Sequence, residues 1–409
     1  MNLLKPKLFY LLLVFSYLLP TTGEARARKK FRIQTRKCAA IIRSTSPDPS
    51  AAFWQRAPRS KIWTQQPWGR RDRIRVMTMN MYNIYAHQGR EASNGSAREG
   101  GVSPRKKTLE KVQRKAAVFF DVRPDIAVIQ EIEPAVNSNA QATLDQFARI
   151  ELKGKYVGFT SGHSNDRKGM ESGFLVKAEL LKEFNFEVVS FSEKQSTLLG
   201  RLMGQRSPVF TGDFALLRIT KKGDRGDMFY VFDPHLKSLR PSFTKNERRQ
   251  GRTPENVEAA RRRVVAKAKL EIAEIVKIIT QLKALYPRVP FMISGDFNRD
   301  LESSPEMRPF YDELNLREGL TLGQRGRVPY SARYTSIYFP IDGERELLQL
   351  LGNFVSPHLQ DHVLESWVYR FVDDEGSVIR LPETYQEREG ELPTDHYPVV
   401  IDLSTKAWR

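Results

Sequence analysis

Arg73 to Met79 alternates apolar and polar side chains, the two-residue period of a strand buried on one face. Asp125 to Gln130 is a short apolar run behind Pro124, as a fully buried strand would be, and Thr108 to Phe120 between them has the texture of a helix. The same reading predicts strands at Gly173–Lys177, Glu187–Phe191, Asp213–Ile219, Met228–Phe232, Phe291–Ser294, Asn353–Ser356 and Val399–Leu403. One segment changes period. Val257, Ala260, Val264, Ala268, Ile272, Ile275 and Ile279 recur at three- and four-residue spacings, which predicts a long amphipathic helix from Asn256 to Tyr286. Strands, one long helix, then more strands, without an internal repeat, predict mixed sheets covered by helices.

The beginning of the chain has a different texture. Lys5 and Lys7 precede an apolar run from Leu8 to Leu19, and Ala25 and Ala27 give a small-residue cleavage pattern, so residues 1–27 read as an export signal. The alternative, a membrane anchor, needs about 20 apolar residues, and this run stops at Pro20. Residues 28–71 follow as an arm punctuated by Pro47, Pro49, Pro58, Pro67 and Gly69, with a folded domain expected over residues 72–405. Cys38 is the only cysteine, so no intrachain disulfide can form and stability must come from the core.

Charge sharpens this division. The whole chain carries +18, but the arm alone holds twelve Lys or Arg against the single acid Asp48, which leaves the expected domain nearly balanced. A basic arm either holds the protein near nucleic acid or an anionic surface, or is a solvated linker. No stretch beyond residue 27 is apolar enough to span a bilayer, and nothing in the sequence addresses oligomeric state.

Several predicted strands end in polar residues, where sites are commonly presented. Asn80 follows Met79, Gln130-Glu131 follows Ile129, and Asp233-Pro234-His235-Leu236-Lys237-Ser238 follows Phe232. Gly295-Asp296-Phe297-Asn298 follows Ser294, and Thr394-Asp395-His396 precedes Tyr397-Pro398-Val399. Carboxylates with free histidines suit an oxygen-ligated divalent ion and a separate proton-transfer group. Each piece alone has a plainer reading: a capping glutamate, a Gly-Asp-Asn turn, a hydrogen-bonded structural histidine.

In this order, the segments from Ile74 to Leu403 resemble the endonuclease/exonuclease/phosphatase superfamily, whose best known member is deoxyribonuclease I. That resemblance implies an α+β fold, a four-layer α/β/β/α sandwich of two packed mixed sheets. It implies a phosphodiesterase in which Glu131 binds a divalent cation, magnesium first and manganese or calcium as alternatives, with Asn80 and Asp395 close by. It makes His396 the base that activates water, Asp296 and Asn298 the groups that orient water and phosphate, and His235, partnered by Glu171, the group facing the phosphate. Arg206 and Lys237 match substrate-contacting positions.

Two departures stand out. The aspartate that usually holds the base histidine is replaced by Leu351 in Leu350-Leu351-Gly352-Asn353, which leaves Asp342, Glu344 or Glu346 as substitutes from a shifted register. Glu133 stands where deoxyribonuclease I has a DNA-contacting arginine. The favoured function is an exported nuclease, periplasmic or extracellular, because Leu239 to Arg263 holds eight Lys or Arg against three Glu beside the His235 motif. The alternatives are a sphingomyelinase-like or inositol-phosphate enzyme and a nucleic-acid-binding protein with weakened catalysis.

Overall fold

The computed structural model describes residues 72–84, 104–134, 139–162, 170–191, 210, 212, 214–224, 226–238, 240–241, 243–323, 327–340, 344–373 and 376–408. The export signal, the basic arm, Arg206 and Asp342 lie outside these residues. The strands are β1 (Arg73–Ile84), β2 (Ile126–Ile132), β3 (Tyr156–Thr160), β4 (Glu171–Lys177), β5 (Phe184–Ser190), β6 (Phe214–Lys221) and β7 (Asp227–Pro234). They continue with β8 (Phe291–Asp296), β9 (Arg317–Glu318), β10 (Ser336–Tyr338), β11 (Glu346–Leu348), β12 (Leu351–Val355), β13 (Val363–Val368) and β14 (Val399–Ser404). The helices that matter here are α1 (Pro104–Val122), α2 (Ala140–Gln146), α3 (Lys245–Gln250), α4 (Pro254–Leu285), α5 (Arg308–Asp312), α6 (Pro357–Gln360) and α7 (Tyr385–Glu391).

Two six-stranded sheets form, in the orders β13-β14-β1-β2-β4-β3 and β5-β6-β7-β8-β12-β9. Both are mixed: β1–β2 and β7–β8 are parallel, and the remaining pairs are antiparallel. Alternation along the strands then assigns faces. Ile74, Val76, Val128 and Phe174 of the first sheet meet Leu217, Phe229, Val231 and Met292 of the second in one buried cluster between the sheets. The intervening residues point outward: Met77, Met79 and Ile129 pack with Val112, Ala116 and Phe119 of α1. On the other side, Leu216, Phe232 and Ile293 pack with Ile272, Ile275 and Ile279 of α4. This is the expected four-layer sandwich.

Helix α4 has the stripe read from the sequence. Ala260, Val264, Ala268, Ile272, Ile275 and Ile279 are buried, and Arg261, Arg262 and Arg263 are exposed. Thr253 caps it by accepting from Asn256 N–H, and Pro254 occupies the first turn, where its missing N–H costs nothing.

Candidate active site

The polar strand ends come together where both sheets finish on the same side. Asn80 is fully buried, and its amide nitrogen donates across the sandwich to Asp296 Oδ2 at 2.9 Å and to Glu131 Oε1 at 3.1 Å. Its carboxamide oxygen accepts from Tyr82 N–H at 2.8 Å. Both ends of Asn80 are therefore bonded to protein, and its amide holds the two carboxylates in place. A second bridge between the sheets runs beneath it, from Gln130 Nε2 to Asp233 Oδ1 at 2.7 Å. Gly295 allows this close approach of β7 and β8: a Cβ there would collide with the Pro234 carbonyl oxygen.

The backbone is strained where these side chains are aimed. Tyr82, Glu131 and Asn298 hold φ of 43°, 61° and 49° in the left-handed region, which non-glycine residues seldom occupy. Asn298 N–H donates to Asp296 Oδ1, and its amide donates to Leu236 O, so the Asp296–Asn298 turn is locked to the His235 segment.

His396 is buried at the start of the last strand. Its Nδ1 is 2.9 Å from Asp395 Oδ1, which in the neutral ring puts the proton on Nδ1 and makes Nε2 the acceptor. Nε2 has no hydrogen-bond partner and lies 3.6 Å from Asp296 Oδ2. Burial alone would lower this ring's pKa, but Asp395 and then Asp296 outweigh it and place it at about 9. Asp395, which burial would push up, is held well below the usual carboxylate range by His396, with Arg388 and Arg240 adding to the effect.

Asp395 is thus the carboxylate hydrogen-bonded to His396 Nδ1. Leu351 does occupy the strand opposite Asp296 and is fully buried, so it offers no carboxylate. Glu344 and Glu346 are exposed at the edge of the β10–β11 hairpin, and neither reaches His396. His235 Nε2 lies 3.7 Å from Glu131 Oε1, and Glu171, across a register shift in the β2–β4 ladder, accepts from Gly162 N–H.

Three residues missed in the sequence hold the site. Arg299, 1% exposed, donates to the carbonyls of Lys237, Asn298 and Val264, tying α4 to the His235 and Asp296–Asn298 segments. Glu271 of α4 accepts from Lys237 N–H, so the half-buried Lys237 is clamped through its backbone. Lys115 of α1 is 2% exposed, donates to the carbonyls of Met81 and Tyr82, and is pulled to a pKa of about 7 chiefly by burial. It falls on the Val112–Ala116–Phe119 stripe, and a lysine on an apolar stripe is a readable signal.

Among the described residues no group of three or more His, Cys, Asp or Glu is arranged as a protein cage for a metal. Magnesium does not demand one: it keeps several waters and takes one or two carboxylates together with substrate phosphate. Glu131, whose pKa is raised first by burial and further by Asp395 and Asp296, is a carboxylate short of positive charge, and the donor set fits such an ion.

No family model and no curated protein matches the chain. Among solved structures, similar ones include an endonuclease/exonuclease/phosphatase family protein from Bacteroides thetaiotaomicron (TM-score 0.49, 14% identity, covering 81% of this chain and 94% of that one). Others are D. rerio TDP2 complexed with single strand DNA product (0.46, 12%, 82% and 100%) and a mannosyl-6-phosphatase from B. thetaiotaomicron (0.45, 15%, 81% and 99%). With two packed mixed sheets, flanking helices and the quoted motifs meeting at one edge, the chain resembles the endonuclease/exonuclease/phosphatase, deoxyribonuclease I-like superfamily.

Proposed function

We propose that this chain is an exported, divalent-cation-dependent phosphodiesterase that hydrolyses nucleic acid. The observation that carries the reading is the buried His396, whose Nε2 closes no hydrogen bond, oriented through Nδ1 by Asp395 and set beside Asp296. Once neutral, an imidazole so held can take one proton from a water as the water oxygen attacks phosphorus. Asp296, fixed by Asn80 and by Asn298 N–H, keeps one carboxylate oxygen near the same water. His235 stands on the opposite flank beside Glu131, where it can face the phosphate and the departing oxygen.

Glu131 and Asp395 would hold the cation, which supplies positive charge against the phosphate and the developing oxyanion. Positive charge there also weakens the carboxylate field that keeps His396 protonated, so the base becomes available nearer neutral pH.

The nucleic-acid preference is supported by exposed Arg248, Arg249 and Arg252 at α3 and by Arg261 and Arg262 on α4, all following the His235 segment. Export, to the periplasm or the medium, is supported by the signal-like residues 1–27. The test is nicking of supercoiled plasmid with magnesium, with and without chelator, beside His396→Ala and a sphingomyelin control. Nicking that requires both the ion and His396 is expected. Lipid turnover with intact plasmid would overturn the substrate, and DNA binding without any hydrolysis would overturn the enzyme.

A further inference from the structure

Strand β1 does not keep its register against β2 at the site. Asn80 pairs with Gln130 and the next pair is Ile84 with Ile132, so Met81, Tyr82 and Asn83 bulge opposite Glu131 alone. The β2–β4 ladder shifts at the same place, between Ile129 and Ile132. Glu131 therefore stands at a break on both sides. Each side of the bulge holds a left-handed residue, Tyr82 at φ 43° and Glu131 at φ 61°. A bulge of this kind aims side chains, and its strain persists only where the surroundings hold it.

Lys115 does the holding. Its ammonium comes from the buried face of α1 and donates to the carbonyls of both Met81 and Tyr82, the second at 3.4 Å. It closes no ion pair among the described residues. Burying an ammonium that lacks a carboxylate partner is costly, and an apolar residue would suit the Val112–Ala116–Phe119 stripe better. The position therefore answers to the bulge and not to the core. From the bulge the bonds run on: Tyr82 N–H donates to Asn80 Oδ1 at 2.8 Å, and Asn80 Nδ2 donates to Glu131 Oε1 and Asp296 Oδ2.

We propose that Lys115 is a positioning residue for the cation: by closing the bulge carbonyls it fixes Asn80, and through Asn80 the direction of Glu131, without touching ion or substrate. The proposal rests on the reading of Glu131 as a cation-holding carboxylate. Lys115 also carries charge, and its two effects have opposite signs. A positive charge in electrostatic reach of Glu131 and Asp395 opposes a second cation, so removing charge alone would tighten binding. Removing the clamp loosens the carboxylate and weakens binding, and groups that orient a metal's ligands change its affinity by about 10–100-fold. The direction of the change therefore tells a clamp from a mere charge.

The experiment is calorimetric titration of magnesium into the full chain at about pH 8.5, for wild type, Lys115→Met, Lys115→Gln and Phe119→Leu. At that pH most of the wild-type ammonium, held at a pKa of about 7 chiefly by burial, has become an amine that still donates, so charge nearly drops out of the comparison. Phe119→Leu loosens the same helix away from the bulge, where the ring packs on Phe147 and Tyr156. Lys115→Met is expected to bind magnesium about tenfold or more weakly, and Phe119→Leu as tightly as wild type although it melts lower. Half-maximal nicking should need correspondingly more magnesium in Lys115→Met, with the rate at saturation less affected. If Lys115→Met shows no cooperative melt, Lys115→Gln decides: its amide is too short to span both carbonyls, and the same direction is expected. Magnesium bound equally or more tightly by the folded Lys115 variant, or weakened as much in Phe119→Leu, would overturn the proposal. Amide exchange over residues 79–84 in chelator reads the bulge without the ion and should quicken only in the Lys115 variants; unchanged exchange there would also overturn it. Quicker exchange in the variants of a protein whose wild type takes up no magnesium would keep the clamp and sink the cation reading.

Discussion

Asn80→Asp replaces one NH₂ group by oxygen at the point where the two sheets meet. The amide nitrogen makes two hydrogen bonds to carboxylates, and bonds to charged groups contribute about 1.5–3 kcal/mol each, so their loss costs about 3–6 kcal/mol. The new carboxylate also faces Glu131 and Asp296. It can escape by binding a proton, which restores one donor. At pH 7.5 that costs about 5 kcal/mol for a group of ordinary pKa near 3.9, and one bond of about 1.5–3 kcal/mol is still lost, so the total reaches at most about 6.5–8 kcal/mol. At pH 5 the same escape costs about 1.5 kcal/mol. The folded-state pKa of the new group is raised, so the stability difference from wild type is small below the unfolded pKa and grows as pH rises. Urea denaturation in chelator at pH 5 and pH 7.5 measures both. A loss of at least about 3 kcal/mol at pH 7.5, smaller at pH 5, is expected. A loss under about 1 kcal/mol at both values, or one that grows at pH 5, would refute the idea that Asn80 holds the carboxylates together.

Glu318 has its pKa raised from 4.5 to about 7, mainly by burial. Wild type should therefore lose up to about 3 kcal/mol relative to Glu318→Gln as pH rises from below 4.5 through 7, which paired urea titrations at pH 4.5 and 8 would detect. Lys115 is the converse case, lowered from 10.5 to about 7. Its buried charge is least tolerated below pH 7, so wild-type stability rises relative to Lys115→Met between pH 7 and 10.5, read from denaturation midpoints at pH 7 and 9.5. Gly295→Ala forces a methyl group against the Pro234 carbonyl and Asp233, and should cost about 1–3 kcal/mol in thermal melts and most of the nicking rate.

The fold was legible where burial imposes a period. The predicted 256–286 helix and the structure's Pro254–Leu285 differ by a residue or two at each end, because the Thr253 cap and Pro254 set the start by local chemistry. Strands β3, β9, β10, β11 and β13 were not read: β9 to β11 have two or three residues each, too few to show alternation. At the site, the polar motif residues were visible because they interrupt apolar runs. Their partners were not. Glu131 facing His235, and Asp395 holding the histidine next to it, depend on side-chain direction at strained backbone positions, which residue order does not encode. Arg299 gave no signal because a guanidinium bonded only to carbonyls looks, in a sequence, like any surface arginine.

Strand β1 lies at the middle of the first sheet, and one of its neighbours there is β14, with Arg73 reaching Asp402 across 329 residues. A ribosome delivers these two strands far apart in time. Until the last segment emerges, β1 has an unpaired edge, Asn80 lacks the Thr394 hydroxyl on its carbonyl, and the base histidine does not exist. The site therefore cannot assemble before residues 394–404 have been made. Completion of the site is thus tied to one of the longest-range strand pairings in the domain, which local order alone cannot supply.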